Sequence, residues 1–354
     1  EGEAKFSDDG TLSAGGNVID AKKVIIATGS RPALPSIKGI ESISYLSSTT
    51  ALELETLPES LLVIGAGYIG AEIAQVFARA GVKVTLISRR GLLPEAEPEI
   101  GEALTNYFEN EGIEVVSGIS YEHIKERNGS VILSVQDKGV TREISSEKVL
   151  VATGRAPNVE SLNLGLAGIE LNEVGGVKVD ERLRTTRENV YAAGDVTGRD
   201  QFVYMAAYGA KIAAKNALNS NPVSYDNSAM PAVVFTDPQI ASVGLTEAQA
   251  RQQGSDIRTS VLTLDNVPRA LAARDTRGLI KLVADAKTKK LVGAHILAPE
   301  GSDSIQTAAL AIKMGMTYED LGAMIFPYLT TVEGLKLAAQ TFDMDVKKLS
   351  CCAG

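Results

Sequence analysis

Four places in the chain carry residues able to do chemistry. The sequence closes with Leu349-Ser350-Cys351-Cys352-Ala353-Gly354, and these cysteines are its only two. Thiolates select soft metal ions. A thiol pair this near a terminus can reach into a site and leave it again. The spacing is not that of a zinc site, so two readings stay open: a soft-metal ligand pair, or two surface cysteines of no consequence. The second place is Gly65-Ala66-Gly67-Tyr68-Ile69-Gly70. Its first glycine allows a tight turn, its second lets backbone amides approach a pyrophosphate, and its third lets helix and strand pack closely. The third place is Ser88-Arg89-Arg90, at the end of the strand after that turn. An acidic residue there would bond a ribose 2′-hydroxyl, whereas guanidinium groups suit a 2′-phosphate. NADPH is therefore expected over NADH, the alternative being that the arginines are solvated loop charges. The fourth is Thr185 with Tyr191-Ala192-Ala193-Gly194-Asp195, where small residues admit a cofactor to the backbone and the aspartate can bond a sugar-like hydroxyl.

These groups need elements to position them. Leu61–Ile64 reads as a short buried strand, Ala71–Ala80 as a helix with Ile73, Val76 and Phe77 on its inner face, and Val82–Ile87 as the next strand. Pro98–Glu111 is expected to be a helix with Ile100, Leu104 and Phe108 inward, followed by a strand to Ser117. Val131–Val135 and Glu143–Leu150 read as two strands of a meander. One phrase occurs twice, Val24–Pro32 (VIIATGSRP) and Val149–Pro157 (VLVATGRAP). Each is a β-branched strand stopped by a glycine turn and a proline. The repeat is too long-spaced for a solenoid and marks two places where the chain passes between domains. From Met230 onward, strands come first and helices after, which predicts a separate α+β domain. His123, in a polar meander, reads as a surface residue, and His295, in an apolar strand, as a satisfied core histidine.

A chain of 354 residues is long enough for two or three domains. The net charge of −9 argues against nucleic acid as a partner. No apolar run approaches the ~18 residues that cross a bilayer, so membrane insertion is not expected. With no signal peptide and no disulfide framework, a cytoplasmic location is expected. Glu1–Ala14 reads as strand and turn already under way, which predicts a fragment lacking its true N-terminus.

Taken together, ATGSRP (27–32), GAGYIGAE (65–72), VATGRAPN (151–158), YAAGD (191–195) and the C-terminal domain resemble the FAD-dependent pyridine nucleotide:disulfide oxidoreductases along essentially the whole chain. The resemblance implies an α/β fold: a Rossmann-like NADPH domain inserted into an FAD domain, followed by an α+β dimerisation domain. It places the end of the first FAD segment at 1–48, the NADPH domain at 49–150, the second FAD segment at 151–228, and the interface domain with its Cys-Cys tail at 229–354. It implies a homodimer. Gly65, Gly67, Gly70, Glu72, Ser88, Arg89 and Arg90 would serve the nicotinamide nucleotide, with Tyr68 as an aromatic gate and Glu72 pairing with a lysine near the flavin. Thr28, Gly29, Gly154 and Asp195 would serve FAD, and the helix begun by Gln201–Ala207 would point its N-terminus at the flavin.

Within the family, the likeness is to the branch that reduces mercuric ion. It rests on Thr263–Ala270 (TLDNVPRA), Phe326–Glu333 (FPYLTTVE) and the tail. The implied activity is NADPH-dependent reduction of Hg(II) to Hg(0) through FAD, the substrate arriving bound to a small-molecule thiol. Cys351, Cys352 and Tyr328 would be the metal ligands, and these three with Glu333 the catalytic set. In disulfide-reducing relatives a histidine stands where Tyr328 does. A phenol's reference pKa lies about 3.5 above imidazole, roughly 5 kcal/mol against ionising at neutral pH, so Tyr328 cannot replace that acid–base group. The chain departs from the family in lacking an N-terminal FAD fingerprint and the CxxxxC redox pair. The same-class alternative is dihydrolipoamide dehydrogenase or a related disulfide reductase. An alternative of another class is a non-catalytic dimeric mercury-binding module.

Overall fold

Leu61, Leu62, Val63 and Ile64 are all but inaccessible, because the strand Ser60–Ile64 lies inside a four-stranded parallel sheet. In the computed structural model, which describes residues 2–7, 10–219 and 222–346, that sheet runs in the order 148–151, 60–64, 83–88, 114–117. A strand buried on both faces has no use for alternation, hence the continuous apolar runs. The helices Tyr68–Arg79 and Pro98–Asn110 cover one face with Ile73, Phe77, Ile100, Leu104 and Phe108. Val76 does not join them. It is 55% exposed, since the helix turns its neighbours Gln75 and Phe77 inward instead. The other face is covered by an antiparallel meander of Ser120–Arg127, Ser130–Asp137 and Val140–Ser146.

The stretch expected as one strand from Glu143 to Leu150 is two. Val140–Ser146 pairs antiparallel with the meander, and Lys148–Val151 pairs parallel with Ser60–Ile64. The break at Glu147 is stitched by Ser146 Oγ donating to the Lys148 carbonyl at 2.8 Å and Glu147 N–H donating to Ser60 Oγ at 3.0 Å.

By contact the chain forms two compact units, Glu1–Ala33 with Gly154–Asn227, and Leu34–Thr153 with Ser228–Gly354. The second unit contains the parallel sheet together with a five-stranded antiparallel sheet ordered 231–234, 239–244, 291–298, 279–285, 257–263. The helices Gly301–Lys313 and Glu333–Gln340 pack on this sheet through Ile305, Ala308, Leu335 and Ala338. The first unit holds the parallel pair Val24–Ile26 and Val190–Ala192, the helix Val203–Leu218, and a core around Phe6, Ile26, Leu162, Val177 and Val196. The two repeated phrases meet there: Ser30–Pro32 and Arg155–Pro157 pair antiparallel with each other. Among the described residues no helix is long and apolar enough to cross a membrane.

Candidate functional site

The three fingerprint glycines have three different reasons to be glycine. Gly65 has φ of 106°, and a Cβ there would sit 2.3 Å from the Ala152 carbonyl oxygen. A Cβ on Gly70 would sit 1.9 Å from the Gly65 carbonyl oxygen, so the helix touches the turn it springs from. Gly67 has ordinary extended backbone and nothing within 4 Å of where a Cβ would point. That open space fits a pyrophosphate brought up to the backbone. The helix begins at Tyr68 with no side chain capping it, and its positive dipole end faces this turn.

Ser88, Arg89 and Arg90 lie at the end of the adjacent strand, Lys83–Ser88, which delivers them beside the turn: Gly65 N–H donates to the Ile87 carbonyl at 2.9 Å. Ser88 Oγ accepts from Arg90 N–H and Gly91 N–H at 3.3 and 3.4 Å, fixing the loop. Arg89 is exposed, and its charge is felt at Tyr121, whose phenol burial pushes up to about 12 against the opposing pull of that guanidinium. Arg90 is ion-paired with Glu95 at 2.7 Å. Sequence reasoning missed Glu95; the only signal was an acid five residues after the arginine pair. Tyr68 is half-buried, and burial, followed by the charge of Glu95, raises its phenol above the usual range.

In the other unit, Gly194 and Asp195 follow the strand Val190–Ala192. Asp195 Oδ2 accepts from Ser30 Oγ at 2.6 Å and faces Arg155 Nε at 3.6 Å. Thr28 and Gly29 are clasped by Asn158. Thr28 Oγ1 donates to the Asn158 carbonyl at 2.6 Å, Asn158 Nδ2 donates to the Thr28 carbonyl at 2.9 Å, and Asn158 N–H donates to the Gly29 carbonyl at 2.9 Å. Gly154 joins them by accepting from Ala33 N–H at 3.0 Å. The glycines turn with φ of 70° and 105°. Thr28, Gly29, Gly154 and Asp195 are thus gathered into one patch of small, polar turns, suited to a phosphate- and hydroxyl-bearing cofactor. Thr185 instead closes its own turn, its single hydroxyl proton shared between the Arg187 and Val190 carbonyls. The helix expected from Gln201 starts at Val203, which is 89% exposed.

Glu72 meets the backbone of the antiparallel sheet. Its Oε1 accepts from Phe235 N–H at 2.7 Å, and burial raises its carboxyl despite that bond. Gln75, one turn on, bonds Asp237 in both directions, donating to its carbonyl at 2.9 Å and accepting from its N–H at 2.8 Å. Arg79 pairs with Asp237 and Glu111. The fingerprint helix is therefore fastened through residues 72, 75 and 79 to the loop between the first two strands of the antiparallel sheet.

A second fastening is buried. Lys281 Nζ lies 2.9 Å from Glu97, 2.8 Å from Glu99 and 3.0 Å from Glu247. Burial pushes its ammonium down, and the three carboxylates outweigh that and hold it above the ordinary lysine range. His295 is beside them, 3.7 Å from Glu97, with Nε2 on the Leu245 carbonyl at 3.0 Å. Its Nδ1 is buried without a hydrogen-bond partner. His295 is thus a core histidine only half satisfied, and burial holds it below the usual imidazole range. His123 corrects differently: it is half-buried in the strand Ser120–Arg127, because the meander packs that strand against Lys38.

Tyr328 is 57% exposed, on a loop that ends at the helix Glu333–Gln340. Leu329, next to it, has φ of 60°, a costly conformation for leucine. Glu333 lies beneath, 3% exposed, with burial raising its carboxyl and the Leu329 backbone N–H opposing that rise. Glu333 therefore braces the turn that displays Tyr328 rather than facing solvent itself. The helix begins only at Glu333, because Thr330 and Thr331 are spent on the turn, Thr330 Oγ1 donating to the Pro327 carbonyl and the Thr331 carbonyl accepting from Gly334 N–H. Cys351 and Cys352 lie outside the described residues. Among the described residues no group of three or more His, Cys, Asp or Glu side chains could hold a metal ion.

Residues 1–214 match the family described as pyridine nucleotide-disulphide oxidoreductase, and residues 230–339 match that family's dimerisation domain. Among curated proteins, the chain is 48% identical to a mercuric reductase of Bacillus cereus and 48% identical to one of Staphylococcus aureus, both matches covering 100% of this chain. It spans 56% of the first relative and 65% of the second. Among solved structures it resembles a Cu(II) complex of the HOCl-induced flavoprotein disulfide reductase RclA from Escherichia coli, with TM-score 0.86 and 32% identity, covering 96% of this chain and 78% of that one. It also resembles LpdA from Mycobacterium tuberculosis, with TM-score 0.82 and 26% identity, covering 96% and 72%.

Proposed function

The chain belongs to the pyridine nucleotide-disulphide oxidoreductase family, and from that premise we propose that it serves the NADPH-dependent reduction of Hg(II) to Hg(0). The observation that carries this reading is the extent of the likeness to proteins named mercuric reductase, unbroken from one end of the chain to the other. Tyr328 supports the substrate. An exposed phenol can approach a metal cation but cannot relay protons between dithiols at neutral pH.

The residues divide the work. The open backbone at Gly67, closed in by Gly65 and Gly70, receives the pyrophosphate of NADPH. Arg89 and Arg90, on the loop braced by Ser88, take its 2′-phosphate, and Tyr68 covers the nicotinamide side. Thr28, Gly29, Gly154 and Asp195 hold FAD, which when bound relays two electrons from the nicotinamide to the substrate ion. Glu72 ties this helix to the antiparallel sheet through Phe235. Cys351 and Cys352 collect Hg(II) from a small thiol carrier by ligand exchange, each incoming thiolate displacing an outgoing one. Tyr328, braced by Glu333, lines the place where the ion is handed on, in a homodimer formed through residues 229–354. The overall balance is one mercuric bis-thiolate, one NADPH and one proton giving Hg(0), NADP⁺ and two thiols. A thiol-rich reducing cytoplasm suits that exchange.

The test is mercury-dependent NADPH oxidation by the complete polypeptide carrying this chain, with excess thiol, beside an NADH arm and an oxidised-lipoamide arm. The reading expects turnover with mercury and NADPH and little with lipoamide. Lipoamide turnover without mercury turnover would overturn it in favour of a disulfide reductase.

A further inference from the structure

Glu95 is an exposed carboxylate on an anchored turn. Its side chain is 67% exposed, yet Leu92 and Leu93 beside it are buried. Leu93 N–H donates to the Ala66 carbonyl, inside the glycine turn, at 2.8 Å, and Ala96 N–H closes back on the Leu93 carbonyl at 2.9 Å. The segment is thereby strapped over the fingerprint. On one side Glu95 Oε1 holds Arg90 Nη2 at 2.7 Å. On the other its charge reaches Tyr68. Arg89 differs from its neighbour: the charge interaction it makes is with the Tyr121 phenol.

We propose that Glu95 is a specificity-tuning residue, an internal counter-ion that holds Arg90 and must be displaced by the 2′-phosphate of the incoming nucleotide. The inference rests on the NADPH reading above and deepens it. A phosphate monoester carries more charge than a carboxylate and accepts a guanidinium in bidentate fashion. Arg90 thus exchanges one anion for a stronger one. Glu95, fixed in place by Leu92 and Leu93, then remains beside the phosphate and repels it. The 2′-phosphate is remote from the reacting ring, so reduced and oxidised nucleotides feel this brake equally, and it favours release of NADP⁺ at the cost of tight binding.

The experiment is calorimetric titration of the chain with 2′,5′-ADP and with 5′-AMP. Wild-type preference for 2′,5′-ADP tests the NADPH reading itself. Glu95→Gln tests the inference: 2′,5′-ADP should bind about three- to ten-fold tighter, the scale of a lost surface ion pair plus a lost repulsion, while 5′-AMP stays within about two-fold. The gain should shrink as salt is raised and vanish when Arg90→Gln is combined with Glu95→Gln. An unchanged ratio of the two affinities, an equal change for both ligands, or weaker binding of 2′,5′-ADP would each overturn it. A wild type that binds both ligands equally would instead remove the NADPH reading. Glu95 is exposed and fills no core space, so the variant folds.

Discussion

Replacing Lys281 by methionine should destabilise the chain sharply, and the source of the loss can be identified. Lys281 and Glu97 have side chains 2% and 1% exposed, while Glu99 and Glu247 keep 42% and 30%. Without the ammonium, Glu99 and Glu247 can swing toward water. Glu97 cannot. It stands in the core just before the helix Pro98–Asn110, and its Oε1 already accepts from Glu247 N–H at 2.6 Å. Its charge is then left buried and unpaired, a change worth roughly 3–5 kcal/mol in comparable pairs. At about 2 °C per kcal/mol for a cooperative unit of this size, Tm should fall by roughly 6–10 °C. Methionine keeps most of the volume, so packing contributes little. The double substitution Glu97→Gln with Lys281→Met should recover at least about half of the loss, because it removes the stranded charge. The assay is thermal unfolding followed by circular dichroism at neutral pH. A loss under about 1 kcal/mol for Lys281→Met, or a double variant no better than the single, would refute the reasoning. The sign with pH is also fixed. The raised Lys281 contributes stability below the unfolded lysine pKa that is lost as pH rises through its folded value, and the lowered Glu247 contributes stability above the unfolded carboxyl pKa that is lost in acid.

Gly67→Ala should leave Tm unchanged, since the added methyl meets open space, yet weaken NADP⁺ binding by at least about ten-fold by filling the pyrophosphate's place. Gly70→Ala should lose about 1–3 kcal/mol of stability or more, because its methyl collides with the Gly65 carbonyl; chemical denaturation separates the two. Gln75→Ala strands the backbone N–H of Asp237, whose carbonyl still accepts from Arg79 and Arg277, and should cost about 1–3 kcal/mol in the same assay. Glu333 is raised by burial, so its charged form weakens the fold as pH rises through its folded pKa. Glu333→Gln should therefore raise Tm at pH 8 and leave it unchanged at pH 4. A gain at pH 4 equal to that at pH 8 would show that desolvation of the charge is not the cause.

Short-range chemistry was legible in the residues. The strand–turn–helix at 61–80, the positions of its glycines and the Gly194-Asp195 turn follow from local periodicity and backbone permission, which act over a few residues. The inward face of the fingerprint helix was misjudged at Val76, whose expected place Gln75 takes. That glutamine is buried because Asp237, distant in sequence, offers both halves of a peptide to its amide. The run from Glu143 to Leu150 looked like one strand, since each residue suits β structure. Only the competing demands of an antiparallel meander and a parallel sheet split it at Glu147. Lys281 is the sharpest case. In Leu279–Asp285 it sits as one cation within an apolar strand, and nothing nearby announces three carboxylates.

By itself, then, the sequence determined where the backbone must turn, which segments are strand or helix, and which residues can meet a nucleotide. The tertiary structure decided who neutralises whom: Glu95 with Arg90, Glu97 with Lys281, Glu333 under the turn that displays Tyr328. Backbone conformation is governed by neighbours along the chain, whereas charges and buried polar groups are settled by whatever the fold brings within a few ångströms, and that separation in sequence carries no local signal.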